Sequence, residues 1–135
     1  EAADVLAFAT SAQEPIVNGD WLKGGVHINS VGSHTPNARE LDTATVVRAR
    51  VICDSTSACQ AEAGDLILPE KEGAFSWDNV RGTLGDIVLG RIKGRENSAE
   101  VTLFKSVGLS IQDIATAQFV YDAAILKGVG TQFEM

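Results

Sequence analysis

A chain of 135 residues suits a single domain with a modest core. Hydrophobic residues make up 44% of it and charged residues 21%, and its formal net charge of −7 comes with Lys and Arg scattered rather than clustered, which argues against nucleic acid as a partner. No apolar run approaches the roughly 20 residues needed to span a membrane and no signal peptide is visible at Glu1, so no membrane association and a cytoplasmic location are the default expectations.

Asp4 to Ala9 is a continuous apolar run, the pattern of a strand covered on both faces, and Thr10-Ser11 stand at its carboxyl end. Glu14-Pro15 and Asn18-Gly19-Asp20 read as turns. Trp21-Leu22 are expected to pack beneath the sheet before Gly24-Gly25 leads into a second strand, Val26 to Val31. Gly32 breaks that strand, and Pro36 forbids a simple continuation into a helix. Around the break the chain concentrates groups able to bond a ligand: Asn29, Ser33, His34, Thr35 and Arg39. Ligands of open parallel sheets sit beyond the carboxyl ends of the strands, so this loop is the candidate active-site rim.

Asp42 is placed to cap a helix over Thr43 to Ala49. Val51-Ile52-Cys53 reads as a third strand, and Asp54 or Ser55 caps a second helix over Thr56 to Ala63, ended by Gly64. Cys53 and Cys59 then fall on different elements, with no Cys/His pair to complete a zinc site, so ordinary reduced cysteines and no metal are expected. Asp65 to Pro69 reads as a short extended piece and Glu70 to Ala74 as a solvated loop. Ser76 or Asp78 caps a third helix reaching about Leu89, with Val80, Leu84, Ile87 and Val88 at helical spacing. Gly90 to Ser98 is a polar surface excursion, and Val101 to Phe104 a fourth strand. Ser110 to Lys127 is the longest helix, stopped by Gly128 and followed by a loose tail over 128–135. Alternation of this kind means an α/β sheet, mostly parallel.

The run HINSVGSHTPNARELD, from His27 to Asp42, resembles the signature of the ornithine cyclodeaminase and mu-crystallin family. Ala9-Thr10-Ser11, Glu62-Ala63-Gly64-Asp65 and the run from Thr102 to Gly108 resemble the same family in order and spacing, so the likeness extends from about Asp4 to about Ala124. It implies the C-terminal half of a Rossmann-like doubly wound domain over 1–127, with about four parallel strands and helices on both faces. The Gly-rich turn that holds a dinucleotide's pyrophosphate is not found here, since Gly128-Val129-Gly130 follows a helix rather than a strand. The acidic residue that would choose between NAD and NADP is likewise not found. Together with a first residue other than Met, this gives the expectation that the chain is a piece of something longer. The first mononucleotide half and the substrate domain would then lie upstream. The fourth strand of such a sheet pairs with the first, so Asp4 to Ala9 should form an open edge that recruits a further copy, there or through its flanking apolar face, or else is captured by the missing half where that is present, and a homo-oligomer is expected.

The resemblance also assigns residues. Thr10 and Ser11 would contact the cofactor's ribose or adenine side, the plainer alternative being a strand end capped by its own hydroxyls. Asn29, Val31 and Gly32 would lie against the nicotinamide, with Gly32 permitting close backbone approach and an unusual φ. Ser106 and Gly108 would close over it by backbone, and Lys105 would contact a phosphate or the substrate or face solvent. His34 stands where the cyclodeaminase and alanine dehydrogenase branches carry an Asp, and as a group that titrates near neutrality it is the candidate general acid, or else a solvated bystander. His27, Arg39, Glu40, Glu62 and Asp65 read as structural, with Arg39 and Glu40 pairing at a helix start.

The function implied for the intact protein is an NAD(P)H-dependent reductase of cyclic imines, or an amino-acid dehydrogenase, acting on a small amino or imino acid. Ornithine cyclodeamination is the runner-up. A non-catalytic, crystallin-like protein binding a nucleotide or small ligand is a second class, and an inert remnant a third. The 135-residue chain alone is expected to be inactive.

Overall fold

The computed structural model describes residues 3–131 and 133. Five strands form one wholly parallel sheet: β1 (Val5–Phe8), β2 (His27–Ser30), β3 (Arg50–Cys53), β4 (Val80–Thr83) and β5 (Thr102–Lys105), in the spatial order β1-β2-β5-β3-β4. β1 pairs only with β2 and so forms the open edge expected of it. The helices are α1 (Thr43–Arg48), α2 (Thr56–Glu62), α3 (Gly64–Lys71), α4 (Leu84–Val88) and α5 (Ser110–Lys127). Asp42 caps α1 by accepting from the Thr45 N–H, and Ser55 caps α2 by accepting from the Ala58 N–H. Gly128, at φ 61°, ends α5 in the left-handed conformation that favours glycine.

Register puts Leu6, Ile28, Leu103 and Val51 in one row across the sheet. Side chains alternate between faces, so this row points to the same side as Phe8, Ser30, Lys105 and Cys53, two residues further along each strand. Ile28, Leu103 and Val51 are 1% exposed or less, and they pack with Val26, Leu41, Val46 and Leu66 into the core. Burying one such side chain stabilises by about 1.5–3 kcal/mol, so this layer supplies most of the cohesion. On the opposite face His27, Asn29, Ile52 and Phe104 line a groove of about 480 Å³, with Leu84, Ile87 and Arg95 across it.

The parallel sheet of about four strands is borne out, with five strands among the described residues. Three other expectations need correction. Residues 65–69, expected to be extended, are helical: Gly64 does not end α2 but opens α3, because only a residue without Cβ fits beside the Thr35 and Ala38 carbonyls. Pro69 is accommodated inside that helix. The single helix expected up to Leu89 is instead a 3₁₀ turn (Trp77–Asn79) capped by Ser76, then β4, then the short α4. Gly82, at φ 143°, cannot continue a helix, and Thr83 with Asp86 forms a capping box that restarts one. Leu22 enters the core as expected, but Trp21 is 75% exposed.

Like the short α4, α5 contributes no buried residue, and it leaves Ile111, Ile114, Phe119, Val120, Tyr121, Ile125 and Leu126 exposed over its 18 residues. No described helix is long and apolar enough to cross a membrane. The tail expectation falls partly outside the described residues.

Candidate functional site at the carboxyl ends of β1, β2 and β5

The polar row at the carboxyl end of the sheet shapes the candidate site. Parallel pairing brings the segments after β1, β2 and β5 to one edge, and buried carboxylates tie them together. Glu40 is wholly buried. Its Oε1 accepts from the Thr10 N–H at 2.7 Å and the Thr10 hydroxyl at 2.8 Å. Its Oε2 accepts from the N–H groups of Gly32 at 3.0 Å and Ser33 at 3.3 Å, and from the Ser30 hydroxyl at 3.4 Å. One side chain thus holds the ends of two strands. Gly32 is demanded by space: a Cβ there would strike the Glu40 carboxylate and the Thr10 backbone. Its φ is not among the positive values of this chain, so the unusual φ expected for it is not found.

Asp65 supports this arrangement from below. Its Oδ1 accepts from the Glu40 and Leu41 N–H groups at 2.7 and 3.0 Å, which fixes the backbone carrying Glu40. Its Oδ2 faces Lys105 Nζ at 2.7 Å and accepts from the Ser30 hydroxyl at 2.7 Å. Lys105 Nζ also donates to the Ser33 carbonyl at 2.6 Å and to Ser30 Oγ at 3.1 Å. Both members of the ion pair are 0% exposed. Burying each ion costs several kcal/mol, which this set of partners offsets. Lys105 is therefore an internal support and presents no ammonium to a ligand or to solvent, contrary to the sequence expectation.

The turn after β5 has its own anchor. Asp54 Oδ2 accepts from the Ser106 hydroxyl at 2.7 Å and from the N–H groups of Val107 and Gly108, each at 3.0 Å. Partial burial of Asp54 pushes its carboxyl up, but these bonds and that from the Ser55 N–H outweigh it and hold the carboxyl below its ordinary value. Gly108 takes φ 86°, with open space where a Cβ would stand. Beneath this turn lie the buried thiols Cys53 and Cys59. Hydrogen bonding to Cys53, burial and the nearby Asp54 push the Cys59 thiol far up, so it stays protonated and unreactive. Among the described residues no group of three His, Cys, Asp or Glu side chains is placed to hold a metal ion.

Of the sequence-predicted residues, Thr10 and Gly32 meet through Glu40, and Ser106 and Gly108 sit together on Asp54. Ser11 is exposed beside Thr10, and Val31 is 45% exposed. His34 is exposed, and its Nδ1 lies 2.9 Å from the Gly32 carbonyl. A carbonyl only accepts, so Nδ1 carries a proton and Nε2 is the acceptor nitrogen of the neutral ring. Asn29 is set apart from these groups, lining the groove on the other face. There His27 Nδ1 lies 2.8 Å from Thr102 Oγ1, consistent with the structural role read for it. Arg39 does not pair with Glu40: it reaches Glu72 at 2.8 Å and Thr43 at 3.1 Å, which frees Glu40 to turn inward. Glu40 and Asp54 are the groups that sequence reasoning passed over as site components. Their burial arises where separate segments meet, and no local pattern marks it.

A sequence profile of the ornithine cyclodeaminase/mu-crystallin family matches residues 1–128. The Delta(1)-pyrroline-2-carboxylate reductase of Bacillus cereus is 41% identical over 98% of this chain and 41% of its own length. The solved structure of the Thermococcus litoralis Delta(1)-pyrroline-2-carboxylate reductase, in complex with NADH and L-proline, superposes with a TM-score of 0.91. It is 47% identical and is covered over 41% of its length by 97% of this chain. An archaeal alanine dehydrogenase dimer with bound NAD is 33% identical with a TM-score of 0.87, over 99% of this chain and 42% of its own. The chain spans about two fifths of the length of these relatives.

Proposed function

Because the chain belongs to the ornithine cyclodeaminase/mu-crystallin family, we propose that it acts as the C-terminal half of a nucleotide-binding domain in an NAD(P)H-dependent reductase of cyclic imino acids. The observation that carries this reading is the strand-end edge itself. Thr10, Ser11, Val31, Gly32, Ser106 and Gly108 form a rigid, mostly exposed border at the place where parallel sheets bind nucleotides, in a chain 47% identical to a reductase solved with NADH and L-proline. The NAD type of cofactor is favoured by the NADH and NAD bound to the two solved relatives.

The residues present fit the end of the cofactor away from its phosphates. The N–H groups of Thr10, Gly32, Ser33, Val107 and Gly108 are all taken by Glu40 or Asp54, so these five amides are not offered to a pyrophosphate. Ser106, Val31 and Gly108 would flank the nicotinamide, and Thr10 and Ser11 a ribose. When bound, the cofactor supplies hydride to the imine carbon. His34, as the imidazolium, would deliver its Nε2 proton to the imine nitrogen and be left as the neutral ring, with Nδ1–H kept on the Gly32 carbonyl and fixing the ring. Asn29, behind the sheet, would act at second hand. The exposed apolar side chains of α5 support a homo-oligomer, as does the dimeric alanine dehydrogenase.

The test is a chimera in which this chain replaces the matching part of the Thermococcus reductase. It should reduce a five-membered cyclic imino acid with NADH. His34→Ala in it should lower kcat by about 10²-fold while leaving NADH affinity little changed. The isolated chain should bind NADH weakly or not at all by calorimetry. A correctly folded chimera without turnover would defeat the reductase reading, and unchanged kcat in His34→Ala would return that residue to a bystander.

A further inference from the structure

Glu40 is a buried acid for which the sequence pattern suggests only pairing at a helix start and the reductase reading assigns no task. Its two oxygens divide their partners by strand: Oε1 takes both donors of Thr10, after β1, while Oε2 takes Gly32 and Ser33, after β2. The missing Cβ of Gly32 lets the same carboxylate and the Thr10 backbone press against it, so the two segments have no slack between them. Asp65 grips the Glu40 and Leu41 N–H groups, and Lys105 joins Asp65 to the Ser33 carbonyl. The loop carrying His34 is thus held from both sides.

We propose that Glu40 is the positioning residue of the crevice, locking the segment after β1 and the segment after β2 into one unit so that the ribose border and the His34 loop keep a fixed separation. What is positioned rests on the reductase reading, whereas the lock itself does not. A carboxylate is required because five donors converge on it. An amide in its place has one accepting oxygen, and its NH₂ would face the N–H groups of one strand end or the other.

Amide hydrogen exchange on the chain as it stands tests the lock. In the unmodified chain the Thr10, Gly32 and Ser33 amides should open together, with protection equal within about threefold, as members of one cooperative unit. In Glu40→Gln, protection at one of the two strand ends should fall by about tenfold or more, the loss of a hydrogen bond to a charged group. Val107 and Gly108, held by Asp54, should not change. Independent opening in the unmodified chain, or equal loss at all five amides, would overturn the proposal. Should Glu40→Gln not fold, Thr10→Val removes the hydroxyl donor alone. Weakened protection at Gly32 and Ser33 would then support the lock, and none would overturn it. In the chimera, Glu40→Gln should lower kcat by up to about 10²-fold, the cost of a misplaced reacting group, with the Kd for NADH within about threefold. Unchanged kcat would overturn the positioning role. A chimera with no turnover even before substitution defeats the reductase reading instead, and the exchange result still decides the lock.

Discussion

Two adjacent rows on one face of the sheet show how position along a strand divides labour. Leu6, Ile28, Leu103 and Val51 make an apolar layer, and two residues further on Ser30 and Lys105 belong to a polar one. At their centres both layers are sealed from water, with Ile28, Ser30 and Lys105 all 0% exposed, while Leu6 on the edge strand is half-buried. The first coheres without direction, and any well-fitting aliphatic serves it. The second is directional: Asp65, Lys105, Ser30 and Glu40 each have named partners, and each partner belongs to a segment bordering the crevice or supporting it. The first row's contribution depends little on exact arrangement, and the second's depends on it throughout.

Removing Asp65 should break this contrast with the largest effect. Asp65→Ala leaves Lys105 buried without a counter-charge and two N–H groups without an acceptor, a loss of about 3–5 kcal/mol. Denaturant titration should show it, and a loss under about 1 kcal/mol would mean that water reaches the ammonium. Ile28→Val, in the apolar row, should cost only about 0.5–1.5 kcal/mol and leave Thr10 and Gly32 exchange unaltered relative to the core. Loosening of those two amides alone in that variant would show that the rows are not separable.

Acid sharpens the comparison at the β5 turn. The Asp54 carboxyl is held below its ordinary value of 3.8, so its contribution is complete above that pH and is lost as pH falls through the lowered value. The effect should be small and local. The Val107 and Gly108 amide resonances should titrate with a midpoint below 3.8, while the Leu103 amide, inside β5, should not follow it. A midpoint above 3.8 would show that burial prevails over the hydrogen bonds.

What the sequence disclosed and what it hid follow the same division. β1, β2, β3 and β5 were legible because aliphatic runs register directly as buried strands. β4 was not. Val80-Arg81-Gly82-Thr83 lies at the sheet's edge with few apolar residues, and Val80, Leu84, Ile87 and Val88 happen to repeat at helical spacing. α3 was hidden because Gly64 and Pro69 mark breaks locally, while contact with the 35–38 loop decides the matter. Along the strand-end edge, Thr10, Gly32 and Ser106 are singled out only by family likeness. The burial of Lys105 and the inward turn of Glu40, read as pairing at a helix start, were hidden, since a charged residue is usually solvated and only three-dimensional convergence of donors makes an interior place tolerable.

The strand order has a consequence for how the chain matures on the ribosome. β5 lies between β2 and β3 but is made after both, separated from Cys53 by the whole of 54–101. At about 5–20 residues per second, β2 and β3 wait several seconds with facing edges unpaired and half of their aliphatic layer uncovered. Glu40 throughout that interval, and Asp65 once it is made, lack the ammonium that Lys105 brings. Docking of β5 supplies the missing backbone ladder, the Leu103 side chain and the counter-charge in one step. Nascent chains halted before Thr102 should therefore be held as open, chaperone-dependent intermediates, and those extended past Gly108 should close cooperatively.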